Sequence, residues 1–451
     1  MAQPSSASAR THDAVLFGAT GFTGRYVLRE VLGSYPQGLR LAVAGRSGDR
    51  LRALVQELGA EGRVQIIAGV DVSDADSLAR MCASTRLVMS VVGPYRLYGE
   101  PVVAAAVAAG TDYLDVSGEP EFMERMEAKY GAAAAAAGCY VASAAGFDSV
   151  PGDLGTVLAQ RQFAPPSVPS TVEAFLSLST GPEGYSAHFA TWESAVLGIA
   201  SVRELRSLRA AQRSGGKAAG AAGAVDGVGD RKEANKVAAP AGPRPPVPKG
   251  AEFVRHPSVN TYSVPFPGAD AAVVRRTQRA LAARGQPPVH FTVRFQMQRL
   301  TTCYLAGAVG ASMSALAGHA WGRALLLKFP RVFSAGAVTR EGPSPEQAAA
   351  AGHAVTLVAR GYKDADSAGP GSPPDREVVL RISGPDPGYA ATSIYLAQAA
   401  LTVLEDRGKL PGPGVHTPGA LLCDTGYAER LQARGIKIEV VSDGAVEGPI
   451  V

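Results

Sequence analysis

Ala14-Val15-Leu16-Phe17-Gly18-Ala19-Thr20-Gly21-Phe22-Thr23-Gly24 is the stretch that decides how the first half of the chain is read. Four apolar residues ending at a glycine suit a short strand buried on both faces of a parallel sheet. From Thr23 to Leu32 the apolar residues recur at helical spacing, so the glycines lie in the turn between a strand and a helix. That position gives them a chemical meaning. Glycines tighten the turn and let backbone amides approach a pyrophosphate, which then meets the partial positive charge of the helix N-terminus. Gly18, Thr20, Gly21, Phe22, Thr23 and Gly24 are therefore the expected phosphate cradle. A P-loop is excluded, because Gly24 is followed by Arg25-Tyr26 and not by lysine and a hydroxyl residue. The bland alternative is a tight turn that binds nothing.

Outward from this turn, strand and helix alternate. Leu41–Ala44, Val64–Ala68, Leu87–Val92 and Tyr113–Val116 read as further strands, and Arg50–Leu58 as a second helix. Ser73, with Asp76 three positions on, reads as a helix-capping pair. Glu119-Pro120 opens a long helix that carries six alanines at Ala132–Ala137. Such βαβ repetition predicts a doubly wound parallel sheet, a Rossmann fold, over residues 1–150.

The end of the second strand sets the choice of dinucleotide. An acidic residue there would bond the ribose hydroxyl of NAD. This chain has Gly45-Arg46-Ser47 instead, about 22 residues past Gly24 and close to the expected offset. Arg46 suits stacking on adenine and pairing with a 2′-phosphate, and Ser47 adds a hydrogen bond, so the expected cofactor is NADP. Asp49 keeps NAD open as the alternative. Asp71, after the third strand, is either an adenine contact or a plain helix-entry carboxylate. Gly93 and Pro94 close the fourth strand at the carboxyl edge, where the ligand crevice opens.

Hydride transfer also needs a proton donor or acceptor beside the nicotinamide. Tyr95, Tyr98, Asp115, Ser117 and Glu119 follow the fourth and fifth strands and are the catalytic candidates, with Asp148 and Ser149 next in line. Each has a structural alternative. Tyr95 and Tyr98 wall a pocket, Asp115 orients a loop, and Glu119 stabilises the start of its own helix.

Beyond Pro151 the pattern changes. Val289, Phe291, Val293, Phe295 and Met297 alternate with polar residues, as a half-buried strand does. Val172–Leu178, Ala354–Val358 and Val378–Ile382 are further strands. The expectation is an α+β substrate or dimerisation domain over residues 151–415, built on a largely antiparallel sheet. Its Gly/Ala/Lys/Pro tract at 210–250 reads as a flexible insertion, and Asp364–Arg376 as a surface loop.

The 451 residues are too many for one ordinary core, and the 46% hydrophobic and 19% charged fractions are those of a globular protein. A net charge of +4 gives no reason to expect nucleic acid. Cys82, Cys139, Cys303 and Cys423 are far apart, and the seven histidines are scattered, so no metal site is expected. The Ser-rich start lacks the apolar core of a secretion signal. A cytoplasmic address is the default expectation, with a mitochondrial one left open.

Several motifs taken together resemble the saccharopine dehydrogenase-like oxidoreductases. They are GATGFTG, the AGRS of Ala44–Ser47, VVGPYRLYGEPVV of Val91–Val103, YLDVSGE of Tyr113–Glu119 and GFDSVPGDLG of Gly146–Gly155. Thr191–Ala195, the PFPGAD of Pro265–Asp270 and HTPGALLCDTGYAERL near the end continue the match. The resemblance implies a second domain with a substrate side and homodimer contacts. It also implies a C-terminal segment, 416–451, that returns to the Rossmann domain. The family includes lysine-pathway enzymes, trans-acting enoyl reductases and proteins of lipid droplets, and this chain is more similar to the lipid-linked branch.

The substrate side offers one physical hint. Tyr304–Leu327 is apolar and small, with His319 and Arg323 as its ionisable residues. It reads as a buried helix pair lining a pocket, as a channel for an acyl chain, or as a segment touching a membrane or lipid droplet. Its apolar part is short for a span of about 20 residues. A saccharopine-type imine substrate would need converging arginines, for which Arg294, Arg299, Arg360 and Arg381 are candidates. Arg294 is expected to point away from the core. The expected activity is hydride transfer with an unsaturated or carbonyl-bearing, lipid-like small molecule. The rivals are a saccharopine-type dehydrogenase and a non-catalytic NADP(H)-binding protein at a membrane.

Overall fold

The computed structural model describes residues 10–184, 186–214, 239–245, 250–369 and 372–446. The chain starts with β1 (His12–Phe17), α1 (Phe22–Ser34), β2 (Leu41–Gly45), α2 (Gly48–Glu57), β3 (Val64–Ala68) and α3 (Ala75–Ala83). It continues with β4 (Thr85–Ser90), α4 (Tyr95–Ala109), β5 (Asp112–Asp115), α5 (Pro120–Ala137), β6 (Tyr140–Ala142) and α6 (Val150–Gln160). Then come β7 (Val168–Ser179), β8 (Ala187–His188), α7 (Phe189–Ala200), α8 (Val202–Ser214), β9 (Glu252–Val254), β10 (Thr261–Pro265), α9 (Asp270–Ala282) and β11 (His290–Met297). Next are α10 (Leu300–Ala317), α11 (Ala320–Lys328), α12 (Pro330–Phe333), β12 (Val338–Thr339), α13 (Pro345–Ala350), β13 (Gly352–Tyr362) and β14 (Arg376–Pro385). The chain ends with α14 (Thr392–Glu405), β15 (Gly414–His416), α15 (Pro418–Leu422), α16 (Tyr427–Ala433) and β16 (Lys437–Gly444).

The chain folds as two compact units. The first joins residues 1–150 to Pro385–Ile436, and the second joins Pro151–Gly384 to the C-terminal strand. In the first unit the sheet order is β3-β2-β1-β4-β5-β6-β15, with parallel pairing between neighbours. This is the doubly wound order, and its direction reverses between β1 and β4. All six residues of β1 are buried, as a strand with a covered face on either side must be. Asp13 at its start survives burial because Arg40 donates to both of its oxygens, which holds its carboxyl down at about 2.

The return to this unit begins at Pro385, earlier than the expected 416, and ends at Ile436. Its centrepiece is α14, which packs against α1, β4 and β5. Every residue from Thr392 to Leu404 is buried, so α14 has no polar stripe to mark it as part of either sheet. The last strand goes elsewhere than expected. β16 pairs antiparallel with β14, as an exposed edge strand of the second sheet.

That second sheet runs β16-β14-β13-β7-β11-β10-β9. β7 pairs antiparallel with β13 but parallel with β11, so the sheet is mixed. One face is apolar and holds α6 closely: a Cβ on Gly155 would lie 2.9 Å from Leu357 Cδ1 and 3.0 Å from Ile382 Cδ1. The other face carries an apolar cluster of Phe175, Val254, Val259, Val358 and Val379 with a charged group beside it. There Glu377 accepts from Arg360 at 2.7 Å and contacts His256 Nε2 at 2.9 Å. Arg294 also turns to this face, as the alternation predicts, but it is only 1% exposed and sits 2.7 Å from Glu252. Pointing away from the α6 side therefore does not mean pointing to water, because a second buried layer, part apolar and part charged, covers the sheet there. The tract at 210–250 lies largely outside the described residues. In the stretch expected as a surface loop, Ala365–Ser367 form a turn of 3₁₀ helix.

Candidate functional site

In the first unit the loop after β1 runs beside the loop after β4. Gly18 has φ +92°, and its N–H donates to Ala44 O at 3.0 Å. A Cβ there would lie 2.7 Å from Val92 Cγ2. Gly24 sits where α1 crosses the turn, and a Cβ on it would meet Gly18 O at 2.3 Å and Ala19 Cα at 2.7 Å. Gly21 differs from both. It is exposed, with φ −73° and ψ 167°, and its N–H closes the turn onto Gly18 O at 3.0 Å. Two glycines thus make the close approach possible, and the third leaves the mouth of the cradle open.

Two helix N-termini border this edge of the sheet, and their electrostatics are opposite. α1 has no side-chain cap and no acidic residue in its first turn. At α4, the Glu119 carboxylate accepts from Tyr95 N at 2.9 Å and Arg96 N at 3.0 Å, so that end already carries its anion. The N-terminus of α1 is therefore the one of the two that suits an added anion. Glu119 therefore serves α4 rather than, as expected, its own helix. The start of α1 is held by an aromatic cluster in which Phe22 meets Tyr389 edge-on at 4.6 Å and Tyr26 lies 5.6 Å from Tyr389. Tyr389 belongs to the returning segment, and the sequence held no local signal of its place here.

At the end of β2 the Arg46 side chain is 80% exposed, and its Nε lies 4.0 Å from an Asp71 carboxylate oxygen. Asp71 accepts from Ser73 Oγ at 2.7 Å and from Ser73 N at 2.8 Å, which holds its carboxyl below the usual range. Ser73 is thus spoken for, and the cap of α3 is Asp74, not Ser73. Ser47 caps α2 by accepting from Arg50 N at 3.3 Å. Asp49 is paired with Arg52 on the same helix. Arg46 is thus an exposed cation at this edge, and the acid near it is already hydrogen-bonded.

Around β4 and β5 the candidate acids and bases separate by exposure. Gly93 is exposed, while Pro94 is buried as the N-cap of α4. Tyr95 is buried and donates to Ser90 O at 3.0 Å, and burial pushes its phenol well above its ordinary pKa. Asp115 is fully buried. It accepts from Ser117 N at 2.9 Å, Ser143 Oγ at 2.9 Å and Ala144 N at 3.1 Å, and burial pushes its carboxyl up to about 6. Ala144 has φ +66°, a strained conformation for a residue with a side chain, so Asp115 is the clamp on that turn. Ser117, also buried, accepts from Glu119 N at 3.2 Å. Asp148 is half-buried against Gly118, where a Cβ would lie 2.4 Å from its Oδ2, and Ser149 is buried. Tyr98 stands apart: it is 39% exposed, beside Leu97 at 52%.

The geometry fits a dinucleotide, since the cradle is closed to side chains and its helix end to carboxylates. Comparison with known proteins agrees. Residues 14–141 match the saccharopine dehydrogenase NADP binding domain. A probable mitochondrial saccharopine dehydrogenase-like oxidoreductase of Arabidopsis thaliana is 37% identical, over 97% of this chain and 98% of that protein. The chain belongs to the saccharopine dehydrogenase-like oxidoreductases. Its dinucleotide is NADP and its chemistry is redox. The lipid droplet localized protein of Caenorhabditis elegans is 34% identical, over 96% of this chain and 99% of that one. In fold, the chain is similar to the apo saccharopine dehydrogenase (L-Glu forming) of Saccharomyces cerevisiae. The TM-score is 0.53 at 14% identity, covering 96% of this chain and all of that one.

Proposed function

We propose that this saccharopine dehydrogenase-like oxidoreductase transfers hydride between NADP(H) and an unsaturated or carbonyl-bearing, lipid-like substrate. The observation that carries the reading is the contrast at the edge of the first sheet: a bare α1 N-terminus, an α4 N-terminus closed by Glu119, and exposed Leu97 and Tyr98 on the first turn of α4. NADPH supplies the hydride to an electrophilic carbon when bound. The first turn of α1 holds the pyrophosphate, and Arg46 with Ser47 holds the 2′-phosphate. Gly93 lets the dinucleotide pass close to the backbone, and Asp71 borders the adenine. Leu97 offers an apolar wall. Tyr98 gives its phenolic proton to the substrate atom that gains charge and regains one from water.

Burial and hydrogen bonding give Tyr95, Asp115, Ser117 and Glu119 positioning roles, because each is already bonded within the first unit. The imine-reducing alternative loses support from its own arginines, since Arg294 is paired with Glu252 and Arg360 with Glu377. A second reading, cofactor binding without turnover at a membrane, is favoured by the burial of four of the five candidate groups. A homodimer and a peripheral position on a lipid surface complete the proposal.

The test is NADPH oxidation with a trans-2-enoyl thioester, a long-chain ketone and an amino-acid imine. Turnover of either of the first two, with kcat lowered at least tenfold in Tyr98→Phe at unchanged KM, supports the reading. Turnover of the imine alone overturns the lipid-like substrate. NADPH binding with no turnover of any of them establishes the second reading.

A further inference from the structure

In the second unit, α10, α11 and α12 pack in series and share an exposed apolar patch. α10 is apolar, with a mean hydropathy of 1.3, yet only 11% of it is buried. Cys303 and Ala317 are its buried residues. Its inner edge is fixed, because Met313 and Leu316 pack on a small core of Ala187, Trp192, Val196, Ala317, Leu326 and Val338. The outer side carries Tyr304 at 68% exposure, Leu305 at 61%, Trp321 at 65% and Val332 at 73%, more apolar surface than a solvated helix pair needs.

Two more observations say what covers it. From Arg299 to Arg340 there is no acidic residue, while Arg299, Arg323, Lys328, Arg331 and Arg340 give five positive charges, against +4 for the whole chain. Three of the hydroxyls on α10 also turn inward on their own backbone. Thr302 donates to Arg299 O at 2.5 Å, Ser312 to Ala308 O at 2.8 Å and Ser314 to Gly310 O at 2.8 Å. The donors of these three side chains are satisfied without water, which suits a less polar medium.

The geometry points to an anionic phospholipid surface as the occupant, with α10–α12 lying in the headgroup layer. This rests on the lipid-contact part of the function proposed above and is independent of its redox part. The apolar side chains enter the acyl boundary, Trp321 sits at headgroup depth, and Lys328 and Arg331 meet lipid phosphates. Crossing the bilayer is disfavoured. Eighteen helical residues reach about 27 Å, short of a hydrocarbon core of about 30 Å. Crossing would also strip α10 from the Trp192 core. A second copy is disfavoured too, because two-fold pairing sets the Arg299–Arg340 segment, which has no acidic residue of its own, against itself.

Co-sedimentation of the full chain with vesicles tests this, using phosphatidylcholine alone and phosphatidylcholine mixed with phosphatidylglycerol. Trp321 fluorescence serves as a second readout, since the other tryptophan, Trp192, is buried and donates to Leu326 O. The mixed vesicles should bind at least tenfold more tightly and blue-shift Trp321, and salt should reverse this. Lys328→Ala with Arg331→Ala should weaken binding about 30-fold, at about 1 kcal/mol per charge. Leu305→Asp should abolish it. All three sites are exposed, so the variants keep the fold, and far-UV circular dichroism with thermal melting of the same preparations checks this. Vesicle binding that ignores lipid charge, no binding at all, or a dimer dispersed by Leu305→Asp overturns the inference. If NADPH still binds in those cases, the oxidoreductase reading stands.

Discussion

Gly21→Ala and Gly24→Ala should fail in opposite ways. At Gly21 the backbone is extended, and a Cβ would meet only Gly18 O, at 3.2 Å. Alanine at this N-cap costs about 0.5–1 kcal/mol relative to glycine, and the entropy removed from the unfolded chain returns about 0.4–1 kcal/mol. The fold should therefore melt within a degree or two of wild type. The methyl group, however, stands in the mouth of the cradle and disrupts at least one hydrogen bond to a charged phosphate, about 1.5–3 kcal/mol, or about 10- to 100-fold in NADPH affinity. At Gly24 the added Cβ would lie 2.3 Å from a carbonyl oxygen and 2.7 Å from a Cα, neither of which is a flexible side chain. The overpacking costs about 3 kcal/mol or more, against about 1 kcal/mol gained in helix propensity. A net loss near 2 kcal/mol lowers the melting of the first unit by about 4–8 °C. Thermal melts with calorimetric titration of NADPH read both quantities. Wild-type affinity in Gly21→Ala would refute the cradle, and wild-type melting in Gly24→Ala would refute the packing argument.

Three further substitutions probe the same unit. Arg46→Ala should weaken NADPH about 10- to 100-fold and NADH less than threefold; equal losses by titration would remove Arg46 from the 2′-phosphate. Glu119→Gln exchanges a carboxylate for a neutral amide at the α4 N-terminus and should cost about 1–2 kcal/mol, read from the urea midpoint. An unchanged midpoint would mean that the two N–H groups find other partners. Asp115 has its folded pKa raised to about 6, above the unfolded value near 4, so its ionised form opposes folding. Stability from this group is smallest above about pH 6 and rises as pH falls toward 4, by up to about 3 kcal/mol. Asp115→Asn should flatten that rise, and identical pH slopes for the two proteins would exclude it.

What the sequence made legible was local. The glycine turn, the strands around it and the basic end of β2 are fixed within a few residues by backbone geometry and by the length of a βαβ unit. What it hid was long-range. Glu119 acts 24 residues away on Tyr95, and Tyr389 reaches Phe22 from the far end of the chain. α14 is buried all round, so no periodicity assigned it to a sheet. The apolar composition of Tyr304–Leu327 left burial and exposure equally open, because composition does not say which neighbours arrive to cover a helix. Ser73 and Asp74 are both competent caps, and the competing demand of Asp71 decided between them.

The chain passes between its units at residues 150, 384 and 436, and this has a consequence for synthesis. A ribosome delivers the first six strands of the dinucleotide sheet early, but α14 and β15, which close that sheet and its core, come about 250 residues later. In the interval β4 and β5 lack the cover that α14 provides, and β6 has an open edge. An exposed apolar face and a free strand edge invite aggregation. The second unit, an insertion within the first, is complete apart from its edge strand before the first can finish. The domain begun first is thus completed almost last, and its nascent form must be sheltered until residue 436 has emerged.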